Sequence, residues 1–121
     1  MALIEIKKSK FYGYAFPVQS VSEIEQKLNE LKKEHKKATH ICYAYILSSP
    51  HQEKFFDDKE PNGTAGRPIL NVLQKQNKEN FVVFIVRYFG GIKLGAGGLI
   101  RAYTKTTTEA LNEISWNEKN W

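Results

Sequence analysis

Cysteine is almost missing from this sequence: Cys42 stands alone in 121 residues, so an intramolecular disulfide is excluded and a reducing compartment suits the chain. Long apolar runs are missing as well. FVVFIV, Phe81 to Val86, is the longest without a polar group, far below the roughly 20 residues of a membrane helix. No segment reads as a secretory leader. A cytoplasmic protein that does not engage membranes is expected. Repeats, low-complexity tracts and linkers are also absent. A chain of this length suffices for one domain, residues 1–121, whose core needs no metal or disulfide staple. Acidic residues are scarce in one region: between Pro61 and Lys105, Glu79 alone faces Arg67, Lys75, Lys78, Arg87, Lys93, Arg101 and Lys105. That excess either attracts an anionic partner or is the solvated face of a lysine-rich protein, and both readings stay open.

What is present organises into alternating elements. Alternation predicts strands over Ala2–Lys7 and Phe11–Val18, with Gly13 as a bulge. The capping spelling Ser22-x-x-Glu25, followed by Ile24, Leu28, Leu31 and His35, predicts a helix over Glu23–His35. HICYAYIL reads as a strand, and the polar, Pro- and Gly-punctuated stretch Ser48–Gly66 reads as a long loop. Pro68–Gln74 is a short helix. FVVFIV, apolar at every position, suits a central strand covered on both faces. Leu99, Tyr103, Ala110, Leu111 and Ile114 mark a final helix of about four turns. The predicted fold is α+β, a two-layer sandwich of helices packed on a mixed sheet.

Two stretches carry candidate chemistry. RYFGGIKLGAGGLIRAY, 87–103, joins an apolar strand to the last helix through five glycines. It has the Gly90–Gly95 spacing of a P-loop but Ala96 where the lysine belongs, and Ile100 stands where a dinucleotide fingerprint needs its third glycine. What survives is a general anion site at a helix start, built from Arg67, Arg87, Lys93, Gly95, Gly97, Gly98 and Arg101, or else a tight structural turn. Tyr88, Phe89 and Tyr103 beside these cations suggest a stacking surface for single-stranded RNA, against the reading that they are core. The acidic loop FFDDKEPNGT offers Asp57, Asp58, Glu60 and Thr64. The carboxylates there serve as acid, base or cation ligands, or simply cap the next helix and pair with Arg67 and Arg87; the second is the expectation. His40 and Cys42 share a strand face, but nothing orients a nucleophile, so no catalytic residue is assigned. No cofactor or metal is expected either. The alternative is an enzyme that binds a small phosphorylated or nucleotide ligand at the Gly-rich helix start with the acidic loop. The glycine turns at 64–66 and 94–98 are expected to meet as one concave edge, with Arg67, Arg87, Lys93 and Arg101 around it.

The stretches KFYGYAFPV, ATHICYAY, FFDDKEPNGTAGRPIL and RYFGGIKLGAGGLIRAY together resemble the IMPACT family, which includes the bacterial YigZ proteins. The resemblance runs from about Lys10 to the final helix. It implies the fold of the second domain of the small-subunit ribosomal protein S-five, also seen in domain IV of elongation factor G. It implies a role in translation or its control, with RNA, the ribosome or a translation-control protein as partner, and no settled activity for bacterial members. Asp57, Asp58, Glu60, Thr64, Arg67, Arg87 and Lys93 match family positions, while Lys59 and Asn62 replace a glycine and a serine. The ferredoxin-like second domain common in bacterial members is not expected here.

Overall fold

The computed structural model describes residues 1–119, with side chains placed as far as residue 114. The elements run β1 (Ala2–Ile6), β2 (Ser9–Pro17), α1 (Val21–Glu34), β3 (His40–Ser48), β4 (His51–Phe56), α2 (Gly66–Lys75), β5 (Phe81–Tyr88) and α3 (Gly95–Lys119). The strands form one sheet in the order β1-β2-β5-β3-β4. The α+β class is as predicted, but the sheet is not mixed: each neighbouring pair is antiparallel. The reason lies in the crossovers. α1 links β2 to β3 and α2 links β4 to β5, and in each case another strand lies between the two that are joined, so strands of like direction never pair.

The apolar run of β5 explains the layering. Val83 and Ile85 face α2 and α3, in a core with Phe11, Ile69, Leu73 and Tyr103. Val82, Phe84 and Val86 face the other way, toward Ile24 and Leu31 of α1. The sheet with α2 and α3 forms the expected two layers, and α1 covers part of the opposite face. Both sides of the central strand are therefore dry, as a strand without polar alternation requires.

Several local expectations shift. The loop foreseen over 48–66 contains β4, which pairs with β3 from Ser48↔His51 to Tyr43↔Phe56. Its residues are all exposed, and the charges of HQEKFF hide the strand while protecting a sheet edge. The cap of α1 is Ser20, whose Oγ accepts from the Glu23 N–H at 3.2 Å, so the helix begins two residues before the predicted start. Gly13 is no bulge: it pairs in register with Ala2 and Ile85, and a Cβ there would lie 2.9 Å from Thr106 Cγ2 on α3. α3 runs 25 residues rather than about four turns. Thr106, Thr107 and Thr108 donate to the carbonyls four residues back at 2.8 to 3.0 Å, which lets a threonine run stay helical with two members buried.

Gly66 is where β4 and α2 come closest. A Cβ at this position would fall 2.6 Å from the Phe56 backbone nitrogen, and backbone cannot swing away as a side chain can. Gly66→Ala is expected to destabilise the domain by about 1–3 kcal/mol, read as a lower urea midpoint with an unchanged slope.

Candidate functional site

The alternation that buries β5 also determines the fate of its last residues. Arg87 sits opposite Phe11 on β2 and His40 on β3, and this cross-strand row points to the face that α2 and α3 cover. Arg87 is only 4% exposed. Glu60, from the loop after β4, is buried over it and accepts from Arg87 Nη1 at 2.8 and 3.0 Å. Tyr103 of α3 donates to the same carboxylate at 2.6 Å, and Arg87 Nη2 donates to Ser9 Oγ at 3.3 Å. Phe11 and Phe89 lie 5.4 Å from the guanidinium carbon, measured to their ring centres. Such a pair is strong only when its remaining donors and acceptors are met, as most are here.

His40 completes the cluster. Its Nδ1 lies 2.7 Å from the Asp58 carbonyl oxygen, which has no proton to give, so Nδ1 is the donor. Its Nε2 then faces Glu60 Oε1 at 3.3 Å. Burial, with Cys42 and Glu60 alongside, pushes the Tyr103 hydroxyl far above its ordinary pKa of 10.0. Burial also pushes the Cys42 thiol up; it bonds the Asp57 carbonyl at 3.1 Å and is an inert core group rather than a nucleophile.

The rest of the acidic loop is turned inward too. Asp57 accepts from the Gly63, Ala65 and Gly66 N–H groups at 2.8 to 3.2 Å and so caps the start of α2. Asp58 accepts from the Ile41 N–H at 2.7 Å, and the buried Thr64 hydroxyl donates to the Pro61 carbonyl at 2.6 Å. The structural reading of this loop is the one the geometry supports, except that Arg67 takes no part. Arg67 is exposed over the Phe55 ring of β4.

The sheet topology brings four connections to one end of the sheet: the β1–β2 turn, the α1–β3 turn, the β4–α2 loop and the β5–α3 loop. Exposed Lys7, Lys8, Lys36, Lys37 and Lys93 ride on three of them. None of the ion pairs among the described residues involves these lysines or Arg101. A concavity of about 380 Å³ opens at this end, and Thr39, His40, Glu60, Arg87, Phe89 and Lys93 line it together with Leu94 to Ala96 and Leu99. Of the predicted anion site, Arg87, Lys93 and Gly95 thus come together. Gly97 and Gly98, in the same first turn of α3, are turned to the Arg101 side chain, and neither they nor the turn at 64–66 and Arg67 line the concavity. The foreseen meeting of the two glycine turns is replaced by a meeting of Glu60 with the 94–96 turn. Sequence reasoning missed Lys7, Lys8, Lys36 and Lys37, because only the sheet order brings them beside Lys93. It also gave His40 no role, because only the sheet register places it opposite Arg87.

The geometry defines an α+β domain whose sheet end carries a buried Arg–Glu–His cluster beneath exposed lysines. The Impact N-terminal domain family matches residues 7–111, and the chain belongs to the IMPACT family. It is 46% identical to the IMPACT family member YvyE of Bacillus subtilis over 96% of this chain and 54% of that protein. With YigZ of Escherichia coli it shares 36% identity over 95% of this chain and 58% of that one, and with Protein IMPACT of Rattus norvegicus 32% over 78% and 31%. The chain therefore spans about half the length of the bacterial relatives it matches. Among solved structures, one described as a hypothetical protein superposes with a TM-score of 0.86 at 36% identity, covering 92% of this chain and 55% of that one. The two-domain translational regulator Yih1 superposes at 0.54 with 22% identity, over 89% and 45%, a likeness of fold.

Two outcomes test the cluster. Glu60→Ala strands a buried cation and is expected to lose about 3–5 kcal/mol in urea unfolding, whereas the double change Glu60→Leu with Arg87→Met recovers much of it. The second concerns alkaline pH. Above about pH 10 the unfolded chain releases the Tyr103 proton that the folded chain retains, so stability falls as pH rises past that point. Tyr103→Phe is expected to flatten that fall, measured as the change in urea midpoint between about pH 8 and about pH 10.5.

Proposed function

We propose that this domain is a cytoplasmic, non-catalytic binding module of translation control that docks RNA, free or on the ribosome, through the lysine-bearing end of its sheet. The observation that carries the reading is the one-sided charge. Asp57, Asp58 and Glu60 are engaged by backbone N–H groups, Arg87 and Tyr103, while Lys7, Lys8, Lys36, Lys37 and Lys93 stay exposed around them. Cations gathered in excess of the exposed counter-charge attract a polyanion. Family membership supports a setting in translation control, since a protein of the same fold is described as a translational regulator.

Fluorescence anisotropy with labelled single-stranded RNA, and pelleting with purified ribosomes, tests the reading at about 50 and about 200 mM salt. Affinity is expected to fall by at least about tenfold between the two, because each phosphate contact releases counterions. Reversing Lys8 and Lys93 to glutamate lowers both the affinity and the salt slope. Absence of binding at the lower salt overturns the RNA reading and leaves a protein partner as the occupant of this face.

A further inference from the structure

The concavity beside α3 is more than an electropositive surface. A patch that only steers a polyanion needs no depth, yet here a half-open concavity of about 380 Å³ is present, within the range of small-molecule sites. Its floor is the His40–Glu60–Arg87 cluster. Arg87 Nε, fully buried, has no hydrogen-bond partner among the described residues. The rim adds Lys93. The walls are of another kind: Leu94, Leu99 and the ring of Phe89, which is 47% exposed while the Arg87 guanidinium lies against it. A cavity with a lysine and a helix start on one side and an aromatic and aliphatic wall on the other suits one anionic group attached to a flat, mostly apolar ring.

We infer that this concavity is a pocket for a single nucleotide unit, its phosphate at Lys93 and the first turn of α3 above the Arg87 cluster, its base against Phe89. The unit is a free nucleoside monophosphate or one unpaired nucleotide of an RNA strand; the chemistry recognised is the same. The inference deepens the RNA reading and rests on it for the identity of the anion. Base stacking on an exposed ring is sequence-tolerant, and a phosphate beside a lysine and helical N–H groups is held without base readout. A preference for single strands over duplexes follows, because a paired base cannot leave its stack to enter.

Phe89 and Lys93 lie on the surface, so Phe89→Ala and Lys93→Ala leave the core intact; Lys75→Ala, at the far end of α2, is the control for general charge. Binding of a labelled six-nucleotide uridine strand by anisotropy, and amide shifts on titration with uridine monophosphate, are measured for each. Both pocket variants are expected to bind the strand on the order of tenfold more weakly and Lys75→Ala within about twofold of the parent. Phe89→Ala keeps the parent salt slope, and Lys93→Ala reduces it by about one. Saturable shifts of the 89–96 amides with the monophosphate assign the free nucleotide as a ligand; shifts with the strand alone assign RNA. If Phe89→Ala binds the strand as tightly as the parent, the pocket is overturned while the RNA reading stands. If the monophosphate binds in a Phe89-dependent way and no RNA does, the RNA reading falls and the pocket stands. If neither binds, both fall.

Discussion

Arg87 and Glu60 form the contact on which the lower end of this domain depends. A guanidinium at the end of a strand whose previous five residues are buried is held almost wholly out of solvent, because the pleat turns it onto the face that α3 covers. Its charge demands a partner inside the fold, and the partner must come from elsewhere in the chain. Glu60 supplies it, and in reaching inward it determines the course of the whole β4–α2 loop. Asp57 lands at the start of α2 and Asp58 against the backbone of β3. Tyr103 and His40 then meet the carboxylate from two further elements, so α3, β3, β5 and the loop are tied at one carboxyl group.

Drawing three carboxylates inward separates charge in space. The loop that looks acidic in one dimension presents little acid to solvent, and the lysines of neighbouring turns are left as the visible charge. Screening over about 8 Å at physiological salt still lets lysines on adjacent turns act together on an approaching polyanion. The buried cluster and the exposed lysines thus have one origin: the same fold that consumes the anions internally gathers the cations outside.

The antiparallel order β1-β2-β5-β3-β4 has a consequence beyond stability. By inserting β5 between β2 and β3, it brings connections distant in sequence to a common end, and the concavity lies where β3, β5 and α3 converge there. Hydrogen bonds between Thr39 and the residues around Tyr88 join the start of β3 to the end of β5 at its edge. The wall residues Leu94 and Leu99 follow from the helical spacing of α3, and the aromatic wall from the residue that follows β5.

The sequence by itself determined the element types wherever periodicity was strong: β3, β5, α1, and the α+β class. It also marked Arg87, Lys93 and Gly95 as neighbours, since all three lie on one short stretch. It failed where charge masked a pattern, as in the exposed edge strand β4, and at the start of α3, where a glycine-rich stretch that reads as a turn is the first helical turn. Only the tertiary structure decided which charges neutralise one another. Glu60 and Arg87 are 27 residues apart, and Lys8 and Lys93 come to one end only through the sheet order. Local propensity is a property of neighbours along the chain and can be read there. Pairing of charges depends on burial and distance, which exist only once the layers have packed.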